Sequence, residues 1–403
     1  MHRVGTLVLF VVAALLGGCA PPSNDAFEFQ VAVARLTSDV LNQFSTKTLL
    51  SPLSGVGGLL TGAARRDPNA FVIDPVVDGD TGDVTATSEQ IDEAFAAAIQ
   101  NASANYHVLP LDTKNVLASR YVVTGAIKFE QNAFLNRRLY RIYASIVDIQ
   151  DGAILANSAV WVSNKKLDDT PVALYRNSPM YLKDKIVMRQ LIVAQPQAGE
   201  EAGRGYVATL DAGSVTSEAS TALSGGDYVR AISLFEQSLI RPDGQTMKNY
   251  SGLYQAYYRS NQKDKAGEAF AKLFEIGVAN NSVTVKFLFA VGSTEFVNNP
   301  DLVTQYDIWL RQASRYLATT GTCMTVVGHT SHTGTAEYNL RLSRERAEKI
   351  QHLLVSFAPP SGHVNVDTLG RGFEENIIGT GTDDEQDAID RRVEFRVRAC
   401  QNA

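Results

Sequence analysis

The sequence predicts a multi-domain α/β protein with three parts: an N-terminal mixed α/β sandwich, short all-α hairpins, and a C-terminal βαβαββ domain with a mixed sheet. Three observations carry this. Helical and strand periodicities alternate over residues 25–185, helical spacing alone fills 215–281, and strands and helices alternate again over 282–403. The length of 403 residues with 45% hydrophobic composition is enough for roughly two to four separate cores.

The first element is a targeting segment. Met1-His2-Arg3 gives a positive start, and residues 4–16 form an apolar run too short to span a bilayer, so residues 1–18 read as a signal peptide. Leu16-Gly17-Gly18-Cys19 resembles the lipobox of bacterial lipoproteins. That resemblance implies acylation of Cys19, with residues 19–24 as a lipidated tether. Ala20, where an aspartate would favour inner-membrane retention, implies sorting to the outer membrane, where acyl chains hold a protein through buried methylenes. No later apolar run approaches 18 residues, so no transmembrane helix is expected. A net charge of -6 and the lack of a long basic tract give no reason to expect nucleic acid.

Within residues 25–185, apolar residues at helical spacing (Val33, Leu36, Val40, Leu41, Phe44) predict a helix over 31–44. Residues 71–75 read as a short strand, and a second helix opens near Thr87-Ser88-Glu89 with Ser88 as its N-cap. Strands follow at 121–125, 138–147 and 153–162, the last two joined by a turn at 148–152. Asp78, Asp80, Asp83 and Glu89 suggest a calcium loop, but Gly82 and Asp83 stand in the reverse of the order an EF-hand needs, so a solvated acidic turn is expected. Val122-Val123-Thr124-Gly125 and the hairpin from Ser145 to Leu155 resemble the periplasmic domains of the FlgO, LpoB and CsgG groups. That resemblance implies protein binding or assembly.

Residues 186–214, rich in Ala, Gly, Glu and Gln and without sustained apolar period, read as a linker. In 215–281, Ala231, Leu234 and Phe235 recur about 35 residues later as Ala266, Ala269 and Phe270, which resembles a pair of tetratricopeptide repeats. Two repeats are few for independent stability, so the pair should dock on a neighbour. A partner-binding groove and a plain helical spacer are both open.

The C-terminal part, 282–403, reads as a strand at 284–291, a helix at 300–317, a strand at 323–327, a long helix at 335–357, and strands at 364–369 and 391–397. Its motifs are Gly328-His329-Thr330-Ser331-His332-Thr333-Gly334, then Tyr338-Asn339, then Leu342-Ser343-Arg344-Glu345-Arg346-Ala347, and Arg391-Arg392-Val393-Glu394-Phe395. Together these resemble the OmpA-like family, whose periplasmic domains hold peptidoglycan. Asn339 and Arg346 are seven residues, two helical turns, apart and project from one face. A guanidinium can grip a carboxylate with two hydrogen bonds, aided by the backbone donors of the helix start. In that family the arginine matching Arg346 and an aspartate bind the carboxylate and ammonium of diaminopimelate in the stem peptide. Here Ser331 stands at the aspartate position and Asp390 at a usual asparagine. Ser331 can accept a hydrogen bond from an ammonium but cannot neutralise it, a loss of about 1–3 kcal/mol. The expected peptidoglycan-binding residues are Thr330, Ser331, Asn339 and Arg346. A reading in which Arg346 pairs with an acidic neighbour and the fold serves as a protein-binding module stays open beside that.

With Cys19 acylated, Cys323 and Cys400 remain in a compartment that permits disulfides. If their strands pair antiparallel, the two sulfurs meet. His329 and His332 lack a third metal ligand nearby, so no metal is expected, and His329 is expected to be structural. No nucleophile elbow, phosphate loop, dinucleotide fingerprint or His-Glu-x-x-His stands in the chain, so neither catalysis nor a cofactor is expected. The implied function is that of a Gram-negative outer-membrane lipoprotein facing the periplasm, tethering the membrane to peptidoglycan and recruiting periplasmic protein partners through its N-terminal and repeat regions. The alternative is an assembly or regulatory lipoprotein of a secretion, motility or cell-wall machine, whose OmpA-like domain binds protein.

Overall fold

The computed structural model describes residues 25–50, 66–360, 362–376 and 390–400. The signal segment, Cys19 and the tether lie outside the described residues. Among those described, no helix is long and apolar enough to cross a membrane.

The N-terminal part is a mixed sheet. Its strands are β1 (Ala26–Phe27), β2 (Asp67–Ile73), β3 (Val77–Asp78), β4 (His107–Leu109), β5 (Ser119–Asn132), β6 (Arg137–Asp148) and β7 (Ile154–Val162). They run in the order β1-β7-β6-β5-β2-β4, with β3 beside β5. β5, β6 and β7 pair antiparallel, and the shorter strands join in parallel. Helices α1 (Phe29–Leu50) and α2 (Ala86–Ala102) cover one face. Val33, Leu36, Val40 and Phe44 recur at helical spacing and pack with Ile91, Phe95 and Ile99 on Phe71, Tyr121 and Ile142. Helix α3 (Thr113–Ala118) precedes β5. The N-cap of α2 is Thr85, not Ser88: Thr85 Oγ1 accepts the Ser88 N–H at 3.3 Å, which makes Ser88 the partner of the cap. The β5–β6 ladder runs from Tyr121↔Asp148 out to Asn132↔Arg137, so β5 extends well past the strand expected at 121–125, while β6 fits the one expected at 138–147.

The linker expected over 186–214 is instead helical. After the single turn α4 (Ala173–Arg176), helices α5 (Lys185–Val193), α6 (Glu200–Val207) and the start of α7 (Leu210–Ser224) cover the second face of the sheet. Val193, Tyr206 and Leu210 pack on Val72, Val122 and Val147. The small residues that resembled linker composition permit close approach: a Cβ on Gly203 would stand 2.0 Å from the Gly152 carbonyl oxygen.

Helices α7, α8 (Tyr228–Leu239), α9 (Met247–Arg259) and α10 (Lys263–Ala279) follow. Phe235 lies on α9 where Gly252 leaves room, since a Cβ there would be 2.1 Å from the ring. Phe270 stacks on Trp309, and Trp309 Nε1 donates to Tyr254 Oη at 2.7 Å. These aromatic contacts fuse α9 and α10 to the next part.

The C-terminal sheet holds β8 (Val283–Val285), β9 (Met324–Gly328), β10 (Val366–Gly370) and β11 (Val393–Val397) in the order β10-β9-β11-β8, with α11 (Pro300–Thr320) and α12 (Ala336–Ser356) packed on it. β8 is shorter than the strand expected over 284–291. The chain leaves the sheet at Lys286, whose Nζ lies 3.1 Å from Asp83 Oδ2 and donates to Tyr175 O at 2.8 Å. Residues 179–181 pair along β8: Tyr181 N–H donates to Thr284 O and Lys286 N–H to Pro179 O, with a bridge at Met180↔Val285. The edge of the C-terminal sheet is thus covered by the N-terminal part. One core runs from Val77 through Phe235 and Phe270 to Phe395. The acidic turn expected to be solvated is instead buried: Asp83 is 1% exposed and pairs with Lys286, and Asp78 Oδ1 accepts from the backbone of Asp80 and Thr81.

Candidate functional site

The C-terminal motif folds where β9 ends and α12 begins. A Cβ on Gly328 would stand 2.0 Å from Ser343 O, and one on Gly370 2.7 Å from Leu340 O, so α12 lies directly on the ends of β9 and β10. Ser343 Oγ donates to Leu340 O at 2.8 Å and accepts the Gly372 N–H at 2.9 Å. The spacing Leu-Ser-x-x-Arg-Ala therefore places a small hydroxyl against the sheet and Arg346 one turn further along.

The loop 328–335 is fixed from several sides. His329 N–H donates to Arg392 O, and Thr330 N–H to Gly372 O at 2.8 Å. Asn339 Nδ2 donates to Thr333 O at 2.9 Å and Thr335 O at 3.1 Å, and Thr335 Oγ1 caps α12 by accepting the Tyr338 N–H. Arg346 is 1% exposed. Its Nε donates to Ser293 O at 3.0 Å, its Nη2 to Ala290 O at 3.1 Å, and the guanidinium lies 5.0 Å from the Phe289 ring centroid. Tyr338 Oη donates to Gly292 O, closing the same loop from above.

The four expected binding residues thus gather around one loop and differ in what they face. Asn339 and Arg346 hold backbone, the first under 333–335 and the second under 290–293. Ser331 is buried, and Thr330 is 2% exposed with no hydrogen-bond partner for its Oγ1 among the described residues. A buried hydroxyl without a partner costs about 1–3 kcal/mol unless something outside the fold satisfies it. His332 is exposed, its ring 4.1 Å from that of Phe373.

Beneath the loop lies a charge network that the motif alone did not reveal. His329 is fully buried, with Nε2 3.6 Å from Glu394 and 4.0 Å from Glu375. Arg392 pairs with Glu394 at 2.6 Å, Arg396 with Glu394 at 2.8 Å and also with Glu375, and Arg371 with Glu375 at 3.3 Å. Burial alone would raise the Glu394 carboxyl, but His329, Arg392 and Arg396 outweigh it and hold the group well below the usual carboxylate range. Burial lowers His329, against the pull of Glu394. His329, Glu375 and Glu394 place potential ligand atoms within 4.8 Å of one another, yet both carboxylates already have guanidinium partners, so the cluster fits a structural clamp on the loop better than a metal site. His329, Arg392 and Glu394 lay in recognisable motifs, whereas Glu375 and Arg371 carried no local signal. Cys323 and Cys400 are joined by a disulfide with their Cα atoms 5.3 Å apart, where β9 and β11 pair antiparallel. Cys19 lies outside the described residues.

Comparison with known proteins follows this geometry. Residues 288–390 match the OmpA family. A peptidoglycan-associated lipoprotein of Pseudomonas putida is 29% identical over 110 residues, 27% of this chain and 61% of that protein. The chain thus spans about three-fifths of that relative. Among solved structures, the peptidoglycan-associated lipoprotein from Burkholderia pseudomallei is 24% identical, covering 28% of this chain and 88% of that one, with a TM-score of 0.23. The cell wall anchor of the T6SS from Pseudomonas aeruginosa is 27% identical, covering 29% and 80%, also with a TM-score of 0.23. Residues 288–390 are an OmpA-family domain, set at the C-terminal side of a larger mixed α/β chain.

Proposed function

We propose that this chain is a lipid-anchored outer-membrane protein whose OmpA-family domain holds peptidoglycan in the periplasm. The observation that carries the reading is the match of residues 288–390 to the OmpA family, within which the loop 328–335 is held by Asn339 and by the His329, Arg392 and Glu394 cluster. A peptidoglycan-associated lipoprotein among the relatives supports the same ligand. In this reading Thr330 and Ser331 meet the stem-peptide diaminopimelate, and Asn339 shapes the loop that receives it. Arg346 supplies positive charge from below while bracing residues 290–293. The α/β sheet and helices α7 to α10 then serve as the surface for periplasmic protein partners, and Cys19 carries the lipid.

Co-sedimentation of the full chain, carrying Cys19→Ser for solubility, with purified peptidoglycan tests this. The chain is expected in the pellet, and Arg346→Ala, which removes the charge and frees the 290–293 loop it holds, is expected to weaken the affinity about tenfold. A chain that stays in the supernatant at every peptidoglycan concentration contradicts the tether and favours the protein-binding alternative.

A further inference from the structure

The β5–β6 hairpin belongs to the N-terminal sheet yet ends beside the C-terminal motif. Arg138 Nη1 donates to Asn376 O at 3.5 Å. The Asn376 amide, oriented to donate, lies 2.9 Å from Thr330 O and 3.2 Å from Phe373 O. Two hydrogen bonds therefore connect the hairpin to the residue with the unpartnered hydroxyl.

The tip is built rigidly. Asn132 Oδ1 accepts the Leu135 N–H at 2.8 Å, and Asn136 takes the left-handed turn position at φ 48. Arg138 is fixed by donation to Phe129 O at 2.6 Å and by stacking 4.5 Å from the Phe129 ring. The turn needs neither Phe134 nor Arg137. Phe134 is nevertheless 71% exposed and Leu135 38%, with Arg137 and Arg138 exposed beside them.

We propose that this hairpin forms the second wall of the peptidoglycan mouth. Arg137 and Arg138 take carboxylates of the stem peptide, and Phe134 lies against the apolar face of a sugar ring. The inference rests on the wall-binding reading above, and its warrant is charge complementarity with continuity to that site. It also gives Ser331 a consequence. Loss of the acidic residue removes a partner for the ligand's ammonium, while the hairpin adds two cations for its carboxylates, so recognition shifts toward anionic groups.

Peptidoglycan co-sedimentation of the full Cys19→Ser chain tests this, comparing Arg137→Glu, Phe134→Ser and Arg346→Ala at low and raised salt. Arg137→Glu is expected to weaken binding about fivefold or more and Phe134→Ser about threefold, with thermal midpoints unchanged because both side chains are exposed. Raised salt is expected to weaken wild type more than Arg137→Glu. If wild type binds and Arg346→Ala does not, while both hairpin variants bind as wild type, the hairpin proposal is overturned and the motif reading stands. A wild-type chain that never binds overturns both.

Discussion

Lys286 and Asp83 meet in the interior at 3.1 Å, where the C-terminal strand β8 gives way to the loop that Arg346 braces. Burial pushes Asp83 up to about 6 although Lys286 opposes the shift. With its folded value raised above the ordinary 3.8, this group's contribution to stability is fully present below about pH 4 and is lost as pH rises through about 6. Lys286→Met leaves a buried carboxylate without its cation, at a cost of about 3–5 kcal/mol near pH 8. The loss should shrink toward pH 5 as Asp83 takes a proton, and adding Asp83→Asn should restore most of it. Thermal melts across that range check this, and a pH-independent loss would contradict it. Asp83 was legible only as part of an acidic turn, because its partner lies 203 residues away. Arg346 was legible as a residue of consequence from its motif, but the carbonyls it holds lie 53 and 56 residues away and no local pattern announces them.

Helix α6 shows where periodicity fails. Its residues Gly203 and Gly205 look alike in the sequence, and together they lowered the helical signal of the 186–214 stretch. Their surroundings differ. A Cβ on Gly203 meets the Gly152 backbone at 2.0 Å, whereas one on Gly205 meets nothing within 4 Å. Gly203→Ala should therefore destabilise the protein by about 1–3 kcal/mol through overpacking. Gly205→Ala should be neutral or stabilise by up to about 1 kcal/mol through helix propensity. Urea unfolding of the two variants separates these outcomes, and equal effects would contradict the packing account. The longer elements were readable because a single physical pattern set each one. Val33, Leu36, Val40 and Phe44 form an apolar stripe, and Leu342, Ile350 and Leu354 are the buried apolar face of α12. The outer part of β5 was not, since its residues Lys128, Glu130 and Gln131 break the apolar run that ends near Gly125, although its partner over 138–147 was readable.

At the scale of the whole molecule, the parts expected as separate domains share a core. Trp309 on α11 stacks on Phe270 of α10, residues 179–181 pair with β8, and the hairpin tip touches Asn376. The OmpA-family domain is thereby packed against the α/β sheet through one shared core. The central claim is that this mouth takes the stem peptide of peptidoglycan with Ser331 as its weak point. Calorimetric titration of the full Cys19→Ser chain with a soluble muropeptide carrying diaminopimelate tests it most directly. Wild type should bind, and Ser331→Asp, by restoring a partner for the ammonium, should tighten binding by about 5- to 150-fold, the equivalent of about 1–3 kcal/mol. No heat of binding from either form, or a Ser331→Asp chain that binds no tighter than wild type, would contradict the account.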